Sequence, residues 1–489
     1  MNAQTDSVRL ESQLAQSLSA DAERYRQSGR LNDALACQLR AYALCPGQPR
    51  LLHDASQLYR ELGDLDAAQL CRRGVLPESA EQRLFKAVPR FGTIVAAHRA
   101  AENRHHKVHS PEKTLLPQPE RNACDSNRPE FRRKHTESRG TFVSELTNGR
   151  VWFDGFNLIV SDQRGRVLKE HVRGSVAVAL GAANCRPVKA LGELVCFLDA
   201  RSSSIYYHWM IDVLPKLAVL ESAGISLDDI DCFVVNCKFD FQRETLARFG
   251  IHEGRIHAPD TTMSMTAERM LIPYLKHDLG ERLYYGLGLG IARWVPVWLR
   301  NTFTTSYRGS ENTLTPTIRS PDSSGSNANE FLYISRAESG TRTLEKETAL
   351  KAELELRGFR SVVLESHTVA EQAALLANAS VVVAAHGAGL TNIAFCQPGT
   401  LVVEIFGEYV APCYWSLAAV ACLDYRQYLA YEALQSASGK TLSHPKTTKL
   451  SLAERRQLGI ELDVEDFLSN LDRWLLPSNR STAITVVGN

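Results

Sequence analysis

The chain has no appreciable excess of either charge. Its 489 residues include 56 Lys and Arg against 55 Asp and Glu, a formal net charge of +1. Nucleic-acid-binding proteins usually carry a basic excess, so no nucleic-acid partner is expected. Nowhere do about 18 apolar residues run together, so no transmembrane segment is expected. Residues 1–11, Met-Asn-Ala-Gln-Thr-Asp-Ser-Val-Arg-Leu-Glu, lack the apolar stretch of a secretory signal. The 11 cysteines are odd in number, scattered, and form no Cys-x-x-Cys pair. That pattern excludes an obvious disulfide framework or zinc site and suits reduced thiols, hence a cytoplasmic location. The remaining composition, 44% hydrophobic and 23% charged, is that of an ordinary globular protein long enough for two or three domains.

What is present begins with a repeat. Tyr25, Gly29, Leu31 and Ala34 recur 34 residues later as Tyr59, Gly63, Leu65 and Ala68. Thirty-four residues is the period of tetratricopeptide repeats, and Ala22, Ala41 and Pro46 fit the same scheme. Residues 1–100 are therefore expected to form a small all-α, TPR-like domain. Two repeats bury little surface alone. They are expected either to pack on the next domain or to bind a protein partner. Residues 101–140 hold four Pro, four His and the basic runs His105-His106-Lys107 and Arg132-Arg133-Lys134-His135, and read as a solvated linker.

From residue 141 strands alternate with turns and helices. Residues 151–168 read as a hairpin, 194–198 and 231–236 as strands, and 204–222 and 241–250 as helices. Residues 301–329, rich in Ser, Thr and Asn, read as a second linker. The last third alternates most regularly, with strands at 331–335, 361–364, 380–385 and 401–406 and helices at 344–357 and 368–378. Such alternation specifies an α/β fold with a parallel sheet covered by helices. Ligands of such sheets bind beyond the carboxyl ends of the strands. Arg336, His386 and Glu404 all fall at such ends.

The stretch Ser380-Val-Val-Val-Ala-Ala-His-Gly-Ala-Gly-Leu-Thr-Asn392 reads as a buried strand, a glycine turn and a helix start. Helix N-termini attract anions. Gly387, Ala388 and Gly389 would let the backbone approach a phosphate, with positive φ open to the glycines. A carboxylate placed like Glu404 suits the two hydroxyls of a ribose. Arg336 and Arg342 suit bidentate binding of phosphate oxygens, and a ring N–H of His386 could donate to a phosphate. Upstream, His208 and Asp212 lie four apart on a helix, hence on one face, as a general base and its orienting partner would; either residue could be the base. Asp229-Ile-Asp231 and Asp64-Leu-Asp66 match the DxD pattern of metal-dependent sugar transferases, but such pairs are common in polar turns. No metal ligand set is expected.

The blocks HGAGLTN at 386–392 and PGTLVVEIF at 398–406, with Tyr333-Ile-Ser-Arg336, Arg342 and Tyr207-His-Trp-Met-Ile-Asp212, resemble the signature of glycosyltransferase family 61 over residues 200–410. The resemblance implies a GT-B type architecture of two Rossmann-like lobes facing across a cleft. The acceptor lobe would span 141–300 and the nucleotide-sugar lobe 330–489. It implies inverting, metal-independent transfer from a UDP-sugar such as UDP-xylose or UDP-N-acetylglucosamine to a glycan, lipid-linked or protein hydroxyl. The donor serves as substrate, and no cofactor is implied. In relatives the second Arg is followed at +4 and +5 by Asn and Glu; here Lys346 replaces the Asn and Glu347 is kept. Animal and plant relatives are Golgi-lumenal with an N-terminal anchor. This chain departs from that, as an enzyme of bacterial capsular or surface polysaccharide would. The rival readings are a nucleotide-sugar epimerase on the same architecture, and a non-catalytic scaffold that recruits partners through its repeats.

Overall fold

The computed structural model describes residues 15–16, 18–45, 48–75, 77, 94–95, 104–122, 129–153, 157–173, 188–199, 202–260, 263–275, 289–304, 330–437 and 452–476. Most of the expected 301–329 linker and the last residues of the expected C-terminal lobe lie outside that set.

Residues 18–27 are helical, followed by helices Leu31–Leu44, Pro49–Glu61 and Leu65–Arg72. The repeated glycines explain the turns. Gly29 and Gly63 both adopt positive φ, at 74° and 81°, which only glycine enters without steric cost. Each then closes its helix in the same way. Arg30 N–H donates to Tyr25 O at 2.8 Å, and Asp64 N–H to Tyr59 O at 2.9 Å, the Schellman pattern. Ala34, Tyr59 and Ala68 meet in one apolar cluster. A second cluster joins Ala15, Leu18, Ala41 and Leu51 to Trp152, Ile159 and Val167. The helices therefore pack on the sheet that follows.

The middle of the chain builds two six-stranded sheets. One runs in the order Ile256–His257, Cys232–Val234, Leu194–Phe197, Arg269–Tyr274, Thr141–Thr147, Arg104–His109. Its first four strands are parallel and the last two pair antiparallel. The other sheet contains the expected hairpin about Asp162–Gly165, Leu158–Ser161 pairing antiparallel with Val167–Leu168, but the expected first arm is split in two, and Arg150–Phe153 pairs back on Leu158–Ser161. The two sheets share a core of Leu146, Val151, Phe153, Val195, Phe197 and Met270. This half is thus not covered by helices on both sides, as a Rossmann-like lobe would be. Thr141–Thr147 passes by a short turn into Arg150–Phe153 of the other sheet, with no room for a crossover helix, and that second sheet takes the place of one helical layer.

The last third is a parallel sheet ordered Phe359–Val362, Glu330–Ile334, Ala379–Ala385, Leu401–Phe406, Asp424–Leu429, Glu120–Arg121. Its five consecutive strands therefore lie in the order 2-1-3-4-5, the doubly wound arrangement. Helices Glu347–Leu356 and Val464–Leu475 cover one face. Val369–Ala377, Cys413–Val420 and Trp294–Thr304 cover the other. Thr368 and Glu371 form the capping box of one of these helices, their side chains accepting from each other's backbone N–H at 2.8 and 3.2 Å.

Residues 101–140, expected as a solvated linker, hold paired strands among their described residues. Arg104–His109 lines the edge of the middle sheet, Glu112–Leu115 pairs with His135–Ser138, and Glu120–Arg121 extends the last sheet. The segment is a strap across both halves, fixed by buried Leu116 and Phe131 and by a 2.7 Å hydrogen bond from Trp415 Nε1 to Pro117 O. Its apolar residues are few and its charges many, so only pairing with both sheets orders it. The core beneath is continuous, joining Trp209 and Phe233 to Ile393 and Leu417.

Candidate active site

In a doubly wound sheet the crevice lies where the strand order reverses. Here that point is between Glu330–Ile334 and Ala379–Ala385, the strands that deliver Arg336 and His386. Glu347 fixes the first strand end. Its Oε1 accepts from Tyr333 OH at 2.9 Å, Ser335 Oγ at 2.7 Å and Arg336 N–H at 3.2 Å. The Arg336 guanidinium is 8% exposed and donates through Nη2 to Ser339 Oγ at 2.5 Å and Thr341 O at 2.9 Å. Its Nε–H and that of Arg342 are buried with no hydrogen-bond partner among the described residues. Burial lowers the pKa of Arg336, and the nearby Arg342 charge lowers it further. Two guanidiniums, one close enough to lower the pKa of the other and each with an unmet Nε–H, have the donor chemistry to bind an anion.

The glycine turn does not use the positive φ expected of it. Neither Gly387 nor Gly389 lies in the left-handed region. A Cβ at Gly387 would stand 1.6 Å from Arg336 Nη1. A side chain there would displace the Arg336 guanidinium from the position it holds. Gly389 packs against Ile334 and Leu364, and Ala388 opens the 3-10 helix Ala388–Phe395.

Glu404, expected to grip a ribose, is wholly buried and already engaged. One oxygen accepts from His386 Nδ1–H at 2.5 Å and the other from the Tyr425 hydroxyl. A buried carboxylate needs donors, and protein supplies both. His386 is thereby fixed with Nε2 as its remaining ring nitrogen. Burial depresses its pKa, Glu404 partly restores it, and Arg342 and Arg336 lower it again. Around the imidazole stand Phe406, stacked at 5.2 Å, and Tyr409 and Tyr414, each at 5.3 Å. Arg342 and Arg456 lie 5.6 and 5.0 Å from the Tyr409 ring centre, within cation–π range.

The His208–Asp212 pair sits opposite. Its helix is not regular. After Tyr206–His208 the residues Trp209–Val213 form a π turn, with Leu214 N–H reaching back five residues to Trp209 O at 2.9 Å. Pro215 has no N–H to continue the ladder, and helix resumes at Lys216–Ser222. Within this turn His208 Nδ1 lies 2.6 Å from Asp212 Oδ2, both side chains partly exposed. The turn docks on the last third of the chain. Tyr206 OH donates to Asn392 Oδ1 at 2.6 Å, and Asn392 Nδ2 donates to Gln372 Oε1 at 2.8 Å and Gly389 O at 3.2 Å. The Tyr207 ring meets Tyr414 edge-on at 5.7 Å. Rings thus lead from His208 through Tyr207 and Tyr414 to His386.

Asp231, of the upstream DxD match, spends Oδ2 on Leu194 N–H at 2.8 Å, a structural task at the opposite, amino end of that strand. Asp64 caps helix Leu65–Arg72. Three contributors escaped sequence reasoning: Glu347 as the anchor of Arg336, Tyr425 as the second donor to Glu404, and Tyr409 between two arginines. Only Glu347 carried a signal, as the retained half of an Asn-Glu pair.

Residues 206–403 match the family model for Glycosyltransferase 61. The chain carries a glycosyltransferase 61 domain. The matched span opens at Tyr206, on the turn that bears His208 and Asp212, and closes one residue before Glu404. The chain is also similar to Protein O-linked-mannose beta-1,4-N-acetylglucosaminyltransferase 2 of Homo sapiens, 34% identical over 102 residues. That stretch is 20% of this chain and 17% of the human protein, so the likeness spans under a fifth of the relative's length. No described helix is long and apolar enough to cross a membrane.

Proposed function

We propose that this glycosyltransferase 61 domain transfers a sugar from a nucleotide sugar to a hydroxyl acceptor with inversion, on an architecture of GT-B type. The observation that carries this reading is the pair of guanidiniums, Arg336 buried and Arg342 half-buried, each with an unmet Nε–H at the switch point of a doubly wound sheet. They suit a diphosphate, and with His386 they supply positive charge where the leaving group forms, a task that otherwise needs a metal ion. A UDP-sugar is the proposed donor. N-acetylglucosamine, named in the human relative, and xylose are the first sugars to try.

His208 is the base in this reading. Its Nδ1–H donates to Asp212, which leaves Nε2 to take the proton of the acceptor hydroxyl, with Asp212 as orienter. The acceptor oxygen forms its bond to the anomeric carbon from the face opposite the diphosphate. The bond from that carbon to the phosphate oxygen breaks, and its electron pair leaves with the nucleotide diphosphate beside Arg336, Arg342 and His386. Glu404 and Tyr425 orient the imidazole. A cytoplasmic role in bacterial surface or capsular polysaccharide, and partner binding by TPR-like helices, belong to the same proposal.

Titration calorimetry and thermal shift with UDP, in the presence of EDTA, test it. The native protein should bind, with a melting temperature that rises by mass action. Arg336→Ala should weaken binding by about tenfold or more, the loss of a charge-assisted pair. Absence of binding by UDP and every other nucleotide would sink the reading and favour the scaffold.

A further inference from the structure

Tyr207 has no part in the chemistry described so far, yet it occupies the middle of the site. It is 7% exposed, and its hydroxyl is buried with no hydrogen-bond partner among the described residues. An unmet buried hydroxyl is destabilising, and native proteins keep few of them. Its neighbour Tyr206 shows the contrast, with a hydroxyl fully engaged by Asn392 at 2.6 Å. That bond also pins the turn from the other lobe, so the Tyr207 ring is held in place.

Position narrows the role. The Tyr207 ring stands 5.3 Å from the His208 ring on one side and 5.7 Å from Tyr414 on the other, and Tyr414 stands 5.3 Å from His386. The anomeric carbon of a transferred sugar is bonded to the phosphate on one face and attacked on the opposite face by the oxygen that the base deprotonates. It must therefore lie between the arginine–histidine group and His208, the interval that Tyr207 spans. Burial pushes its hydroxyl pKa well up, and Cys413, Asp212 and Tyr414 push it further. It is therefore a proton-bearing donor throughout the physiological range.

We propose that the Tyr207 hydroxyl hydrogen-bonds a ring hydroxyl of the transferred sugar and helps set which sugar the site accepts. This rests on the nucleotide-sugar reading above. A site built around a hydrogen bond rejects a substrate lacking the partner hydroxyl, because its own group is then left unpaired. Tyr207 is thus a determinant of sugar specificity and not of nucleotide affinity.

The test is Tyr207→Phe, which removes one oxygen and keeps the ring. Affinities for UDP, UDP-N-acetylglucosamine and UDP-xylose would be measured by calorimetry, beside the melting temperature of the empty protein. The expected result has four parts. UDP affinity stays within about twofold, and the extra affinity of the better sugar nucleotide over UDP drops about tenfold. The empty variant melts no lower than the native protein, because an unpaired buried group has been deleted. Tyr206→Phe, which breaks a made bond, melts lower. The proposal is overturned if Tyr207→Phe leaves the sugar increment intact. It is also overturned if the variant lowers melting temperature and all affinities together, the mark of a packing role. A native protein that binds neither sugar nucleotide more tightly than UDP overturns it too. A native protein that binds no UDP at all fails at the earlier step and removes the basis of both.

Discussion

At the scale of single residues, the position where this chain departs from the pattern it resembles has a physical meaning. Lys346 lies at φ 62°, ψ 25°, in the left-handed region, just before helix Glu347–Leu356, and its side chain caps nothing. Asn tolerates that conformation better than Lys and is also a favoured helix cap. Backbone geometry alone would favour an Asn at this position, so Lys346 is expected to cost stability rather than chemistry. Lys346→Asn is expected to stabilise the protein by about 1 kcal/mol, read as a higher urea midpoint with an unchanged slope. Nucleotide affinity should stay the same. A gain in affinity would show instead that this position touches the donor. Glu347 was kept for the opposite reason, since it holds three groups around Arg336.

At the scale of elements, periodicity made the strands and helices of the last third legible, and their order placed Arg336 and His386 together before any coordinates were needed. One strand of that sheet, Asp424–Leu429, was not legible. Its sequence, Asp-Tyr-Arg-Gln-Tyr-Leu, is largely polar, yet every residue is buried. Tertiary partners make that possible: Tyr425 donates to Glu404, Gln427 Oε1 accepts from Arg121, and Tyr428 donates to Asp466. No local pattern announces such partners, and for the same reason the ribose role expected of Glu404 could not be weighed against a tyrosine 21 residues away. The strap at 104–121 was hidden likewise, since its order comes from the sheets it joins. Contacts across the halves also cap helices. Glu244, on helix Asp240–Ala247, accepts from Val369 and Ala370 N–H at 2.9 and 3.1 Å, at the positive end of helix Val369–Ala377. Glu244→Ala should cost about 1 kcal/mol, the usual loss of a cap, measured by chemical denaturation. UDP affinity should not move, because the cap lies away from the arginines. A loss of affinity without a loss of stability would mean that Glu244 acts on the site instead.

At the scale of the whole molecule, the question is whether the helical repeats are a module for others or a part of this fold. Their internal core, from Ala34 to Cys71, is self-contained. Their second contact is with Trp152, Ile159 and Val167 on the nearest sheet, and those three residues are themselves almost fully buried. Taking the helices away would leave an aromatic and two branched side chains bare on one sheet face, an exposed patch of the kind that drives association. Removal of residues 1–77 is therefore expected to lower the melting temperature by about 5 °C or more and to raise light scattering on storage. The fraction that stays folded should bind UDP as the full chain does. The site is built from residues 206–456, and among the described residues none of its contacts given above reaches the helices. A truncated protein that melts like the full chain would reverse the argument: the helices would then be carried without being used by this fold, and a partner would be needed to explain them. The repeat's period cannot separate these cases, because the same helix pairs serve in both. Burial of Trp152 beneath them favours helices that are part of this fold.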